Sequence, residues 1–304
     1  MEYVLTAEGL SKSYGKAHVL KDLRMHVPRG AIYGLVGKNG AGKTTLLRLI
    51  CGLQEPSAGS YSLYGALSGT KEVCAARRRL GGVVETPALY PDMSAQDNLL
   101  MQYRILGMPS REGLEELLSL VGLEGSGKKK ARHFSLGMRQ RLGIAVALAG
   151  DPDLLVLDEP INGLDPQGIV EMRELLLRLN QVKGITVLIS SHILDELSRL
   201  ATHYGFIDGG RMVRELSARE LEASCRKRVH ADVTDTAALA RVLEGMGLEY
   251  KILSEHTADI FGEVNVSRLA RALEEEGCEI RTLSERDEDL ESFYISLIGG
   301  GVHA

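Results

Sequence analysis

Apolar residues fall along the 304-residue chain in runs of two periods. Short runs at 3–10, 19–27, 31–36, 154–157 and 186–190 predict strands, and the last three are apolar enough for burial in a sheet. Pro28, Arg29 and Gly30 mark a turn. Three- and four-residue spacing predicts helices at 43–51 (stopped by Gly52), 169–180 and 193–201. Residues 94–150 read as a helical block: Leu99, Leu100 and Tyr103, then Leu114, Leu117, Leu118 and Val121, recur at helical spacing. Strands alternating with helices, with a helical block inserted, favour an α/β fold with a largely parallel sheet. After about residue 219 the pattern restarts as strand 229–233, helix 236–245, strands 249–253 and 258–261, helix 266–276 and strand 279–283. This β-α-β-β-α-β order predicts a small α+β domain of ferredoxin-like type. A closing helix is expected at 289–297, and no chemical motif accompanies this part.

Composition narrows the reading. Hydrophobic residues make up 44%, with no tryptophan and four phenylalanines, so a sizeable core must be mostly aliphatic. No apolar run reaches about 18 residues, the length a membrane span requires. The start, MEYVLTAEGLSKSYG, lacks the basic and apolar segments of a secretory leader. Cys51, Cys74, Cys225 and Cys278 are far apart and are expected to be reduced packing residues of a cytosolic protein. Residues 1–218 carry 26 Lys and Arg against 23 Asp and Glu; residues 219–304 carry 10 against 18. The acidic second part argues against a nucleic-acid partner.

The chemistry begins at Gly37-Lys-Asn39-Gly40-Ala41-Gly42-Lys43-Thr44, which satisfies G-x-x-x-x-G-K-[ST] between an expected strand and an expected helix. Such a loop turns backbone N–H groups toward phosphate oxygens and adds the positive end of the following helix. Lys43 is expected to bridge the β- and γ-phosphates, Thr44 to ligate Mg²⁺, and Thr45 to bond the α-phosphate. The competing reading is a glycine-rich turn with a chance lysine. The apolar strand before Asp158-Glu159-Pro160 delivers two carboxylates at a strand's C-terminal edge, where α/β folds bind ligands. Asp158 is expected to hold Mg²⁺ through water, and Glu159 to take a proton from an attacking water.

Phe134-Ser135-Leu136-Gly137-Met138-Arg139-Gln140-Arg141 resembles the signature of the ATP-binding cassette (ABC) ATPases, in an exporter variant. Asn162-Gly-Leu-Asp165-Pro166 looks like that family's interface loop. His192, after Ser190-Ser191, matches its γ-phosphate histidine, and Tyr14 its adenine-stacking aromatic. The resemblance covers residues 1 to about 218. It implies a P-loop NTPase fold, with a RecA-like core, a β-rich N-terminal subdomain and a helical subdomain at about 86–150. It also implies a head-to-tail homodimer in which Ser135 and Gly137 of one chain close on the Mg·ATP held by the other. Glu85, in LGGVVETPALYP, stands where most of these cassettes carry glutamine. This variant looks like the ATPases of bacitracin- and lantibiotic-type peptide exporters. A carboxylate there binds Mg²⁺ more strongly than an amide does.

The resemblance further implies a separate integral-membrane permease, with the chain peripheral on the inner face of the membrane. The expected docking surface is 96–107, through Met101 and Leu106. The run Lys128–Lys130 with Arg132 is a solvated loop or a contact to permease or anionic lipid. Three other readings stay open. They are export of a different cargo, a non-transport ABC ATPase acting on ribosomes or DNA, and an ATP-gated switch without turnover. RNA- or DNA-stimulated turnover sensitive to salt marks the second, and absence of phosphate release marks the third.

Overall fold

The computed structural model describes residues 2–108, 110–224, 227–262, 264–287 and 290–299. Cys225 and Asp289 lie outside them. The chain divides into two compact units, Met1–Ala218 and Arg219–Ala304.

The first unit opens with a long antiparallel hairpin, β1 (Tyr3–Tyr14) and β2 (Ala17–Pro28). Both strands outrun the expected 3–10 and 19–27 because the chain turns in only two residues, 15 and 16. Next come β3 (Ile32–Val36), α1 (Lys43–Ile50), β4 (Ala58–Leu63), β5 (Ala66–Leu67), α2 (Glu72–Arg77) and β6 (Leu80–Val83). The helical block follows as α3 (Ala95–Ile105), α4 (Leu114–Leu120) and α5 (Leu136–Leu148). Two short 3₁₀ turns separate α4 from α5, so the block is three helices rather than a continuous run. The unit closes with β7 (Leu154–Asp158), α6 (Pro166–Lys183), β8 (Thr186–Ser191), α7 (Leu194–Ser198), β9 (His203–Asp208) and β10 (Arg211–Ser217).

Two sheets result. One is antiparallel, in the order β2-β1-β4-β5. The other is six-stranded, in the order β10-β9-β3-β8-β7-β6, parallel except at its β9–β10 edge. The α/β reading with a largely parallel sheet therefore holds. Every residue of β3, β7 and β8 is buried, as their apolar stretches require, including the polar Asp158, Thr186, Ser190 and Ser191 at the strand ends. Helix α1 is too short to be stable alone. It is anchored by Leu46, Leu47, Leu49 and Ile50, all fully buried in one cluster with Leu35, Val156 and Leu188. Each such side chain contributes about 1.5–3 kcal/mol.

In the second unit, α8 (Ala218–Ser224) leads into β11 (Lys227–Val233), α9 (Thr236–Met246), β12 (Glu249–Ile252), β13 (Thr257–Phe261), α10 (Val266–Glu275), β14 (Ile280–Asp287) and α11 (Leu290–Gly299). The antiparallel order β12-β13-β11-β14 is that of a split β-α-β, ferredoxin-like sheet. Leu239, Leu243, Leu269 and Leu273 of its helices pack with Ala231, Ala258 and Ile260.

Candidate functional site

Strand β3 delivers the chain to Gly37, and the loop closes at Gly42, the N-cap of α1. Gly42 has φ +107°, and a Cβ there would stand 2.7 Å from Leu20 Cδ2. Glycine is required by the chain's own packing. No side chain caps α1, so its first-turn N–H groups keep their donors for a ligand. Ala41 is buried, Asn39 and Gly40 are exposed, and Thr44 and Thr45 are half-buried in the first turn. Lys43 is 5% exposed, and its ammonium donates to Gly37 O at 2.6 Å and to Lys38 O at 3.3 Å.

Strands β7 and β8 bring the acidic pair beside this cation. Asp158 is opposite Ser190 in the parallel register, and its Oδ1 accepts from Ser190 Oγ at 2.6 Å. Glu159 follows with φ +48°, a conformation costing a non-glycine residue about 1–3 kcal/mol. Its backbone N–H holds that turn by bonding Ser190 O (3.1 Å) and Ser190 Oγ (3.0 Å). The Glu159 carboxylate is then aimed: Oε1 lies 3.4 Å from Lys43 Nζ, while Oε2 meets His192 Nδ1 at 2.9 Å and Asn162 Nδ2 at 3.2 Å. Lys43, Asp158, Glu159, Asn162, Ser190 and His192 thus converge at the C-terminal ends of β3, β7 and β8.

The remaining expected residues stand apart from that group. Ser135 caps α5 by accepting from Met138 N–H at 3.2 Å, and a Cβ on Gly137 would meet only Leu164, at 3.6 Å. This helix tip adjoins the 162–166 loop, where Asp165 caps α6. The Tyr14 hydroxyl, at the end of β1, donates to Gln54 Oε1, and Lys12 Nζ lies 5.4 Å from its ring centroid. Glu85, at φ +65°, pairs through Oε1 with Arg48 Nη2 at 2.5 Å. The guanidinium holds this exposed carboxyl below the usual range.

Residues 20–162 match the family model described as ABC transporter. The chain is 38% identical over 303 residues to the bacitracin transport ATP-binding protein BcrA of Enterococcus faecalis, covering 99% of this chain and 98% of that one. It is 42% identical over 212 residues to the lantibiotic transport ATP-binding protein SrtF of Streptococcus pyogenes, covering 70% and 90% respectively. Among solved structures, the dimeric, post-hydrolysis ATP-binding cassette MJ0796 with ADP and Pi is 25% identical, with TM-score 0.63. That likeness covers 71% of this chain and 99% of the cassette.

The chain belongs to the ABC transporter ATP-binding proteins.

This ABC chain has a second concave feature in its first unit. A groove of about 710 Å³ runs between the α3 and α5 region and the β6 edge, lined in part by Arg78, Leu80, Ile105, Leu106 and Met108. Of the two residues expected to be exposed on the 96–107 surface, Leu106 is exposed and lines this groove, whereas Met101 is half-buried and does not line it. In the basic run, Arg132 pairs with Asp92 at 2.7 Å and Lys129 lies over the Phe134 ring. Two contacts within the ABC site were not anticipated: the sequence shows Ser190 only as preceding His192, and Asn162 only as part of an interface loop. Ser190 joins both carboxylate residues, and its polar side chain ending an apolar strand was the available signal. Asn162 tethers Glu159 from three residues downstream. Arg48 was missed altogether, although it is the one charge in the apolar second half of α1.

Proposed function

We propose that the chain is the ATP-hydrolysing subunit of a transporter for antimicrobial peptides of the bacitracin or lantibiotic class, serving export or immunity. It works as a head-to-tail homodimer on a separate membrane permease, at the inner face of the membrane. The observation that carries the catalytic part is the Lys43–Glu159–His192 constellation beside an uncapped helix N-terminus. The likeness to BcrA over 99% of the chain, C-terminal unit included, supports the bacitracin side of the cargo reading.

The donor set fits Mg·ATP. A cation sits at the centre of a loop whose helix N–H groups have no side-chain cap, which suits a polyphosphate. Among the described residues no group of three or more His, Cys, Asp or Glu side chains could cage a metal. Mg²⁺ needs no such cage, because it takes one or two carboxylates together with phosphates and water. Thr44 and Asp158 would hold it, with Glu85 as the further oxygen donor, and it would supply charge neutralisation between the β- and γ-phosphates.

Lys43 releases its carbonyl partners to reach the phosphates. Glu159 accepts the proton of the attacking water; Asn162 and Ser190 fix its position. His192 Nδ1 meets Glu159 Oε2, and with a proton on each ring nitrogen it donates Nδ1–H to Glu159 and Nε2–H to a γ-phosphate oxygen. Ser135 and Gly137 present the α5 tip to the partner copy's nucleotide, and Tyr14 offers its ring to the base. The groove between α3 and β6 receives an apolar permease segment against Ile105, Leu106 and Met108. The test is reconstitution with the co-purified permease in vesicles. Bacitracin-class peptides should stimulate phosphate release, and stimulation only by unrelated cargo would overturn the cargo reading. A purified chain that neither binds ATP nor releases phosphate would overturn the whole.

A further inference from the structure

Arg48 lies in the last turn of α1, five residues after Lys43, near two residues that the nucleotide reading uses separately. Its guanidinium meets Glu85 Oε1 at 2.5 Å, and the Tyr14 hydroxyl is near enough to interact with it electrostatically. That hydroxyl gives its own proton to Gln54, so as an acceptor it remains open to Arg48. Among the described residues, Glu85 pairs with no other cation. Its backbone lies in the left-handed region, and such strain persists where surroundings impose it.

We propose that Arg48 is a positioning residue that holds Glu85 in reserve, away from a nucleotide-bound metal, and yields it when a base occupies Tyr14. This rests on the Mg·ATP reading above. Before the metal arrives, a bare carboxylate near the phosphates would repel them; paired with a guanidinium it does not. Mg²⁺ must then compete with Arg48 for Glu85. A shift of the Tyr14 ring that admits a base also moves its hydroxyl, which is rigidly attached to the ring, relative to the nearby Arg48 guanidinium. A glutamine at position 85 has no charge to hold, so the latch is available only to the glutamate variant.

The experiment is a double-mutant cycle. ATP binding by equilibrium dialysis and phosphate release are both followed against Mg²⁺ concentration. Arg48→Gln should lower the half-saturating Mg²⁺ by about two- to fivefold, the range of an exposed ion pair. In the Glu85→Gln background the same substitution should leave it unchanged. Equal shifts in both backgrounds, or none in either, would overturn the latch. So would a change in melting temperature with no change in the Mg²⁺ midpoint, since that marks a purely structural role. Should Arg48→Gln fail to fold, Arg48→Lys keeps the charge but cannot serve Tyr14 and Glu85 together. It should shift the midpoint in the same direction by less, and no shift would count against the proposal. A wild-type chain that binds no ATP at any Mg²⁺ concentration would instead sink the nucleotide reading beneath it.

Discussion

Two glycines open two helices of the cassette unit, and their surroundings differ. At Gly42 a side chain would strike Leu20 and stand in a backbone conformation that L-residues avoid. At Gly137 a Cβ would make one ordinary contact, at 3.6 Å, with backbone in the helical range. The first glycine is explained inside one chain. The second is not, and alanine would suit a helix there better. The two ends also differ in capping: α1 has no side-chain cap and has a buried lysine beside it, while α5 is capped by Ser135 and exposed. On the proposed reading these are a complete phosphate cradle and an incomplete one on the same molecule, as a head-to-tail pair would need, each copy completing the other.

The strongest test leaves both ends intact and stops the chemistry between them. Glu159→Gln should cut turnover by about 10²–10⁴-fold, the range for loss of a general base. ATP binding should remain, and an ATP-bound dimer should accumulate on size-exclusion chromatography. Normal turnover, or a monomer saturated with ATP, would break the comparison. Next come the glycines themselves. Gly137→Ala should leave melting unchanged or raise it by up to about 1 kcal/mol of helix stability. Its turnover should fall by roughly 10²-fold, as expected for a misplaced reacting group. Gly42→Ala should lower the melting temperature of the chain alone. If Gly137→Ala loses stability and activity together, the distinction between the two ends fails. Lys43→Ala then isolates the cradle. Its loss of charged hydrogen bonds should weaken ATP binding by roughly 10- to 150-fold, measured by equilibrium dialysis, with folding retained.

How far the sequence carried this picture depended on the range of each interaction. The loop 37–44 and strand β7 were legible because their chemistry is local: an apolar run, then glycines or carboxylates at fixed spacing. Strands β9 and β10 were not anticipated. β10 reads RMVRELS and pairs antiparallel at a sheet edge, so no apolar run announces it. The helix expected over 193–201 spans only Leu194–Ser198; beyond it the N–H groups of the buried Leu200 and Ala201 both turn back to Leu197 O. Within the site, the meeting of Lys43, Glu159 and His192 depends on the strand order β3-β8-β7, a long-range fact. The pairing of Arg48 with Glu85, 37 residues away, was hidden for the same reason.

The smallest expected effect separates what Ser135 does for its own helix from what it offers elsewhere. As an N-cap it accepts from Met138 N–H, and Ser135→Ala should cost about 1 kcal/mol of stability. Aspartate caps as well as serine, so Ser135→Asp should melt like the wild type. Facing a phosphate, the two substitutions rank the other way. Alanine removes one neutral donor, worth about 0.5–1.5 kcal/mol, whereas aspartate brings a negative charge against the partner's nucleotide. ATP-dependent dimerisation should therefore fall in the order serine, alanine, aspartate, while stability falls in the order serine, aspartate, alanine. If the two orders coincide, Ser135 is a helix cap and nothing more, and the α5 tip has no claim on a second chain's ATP.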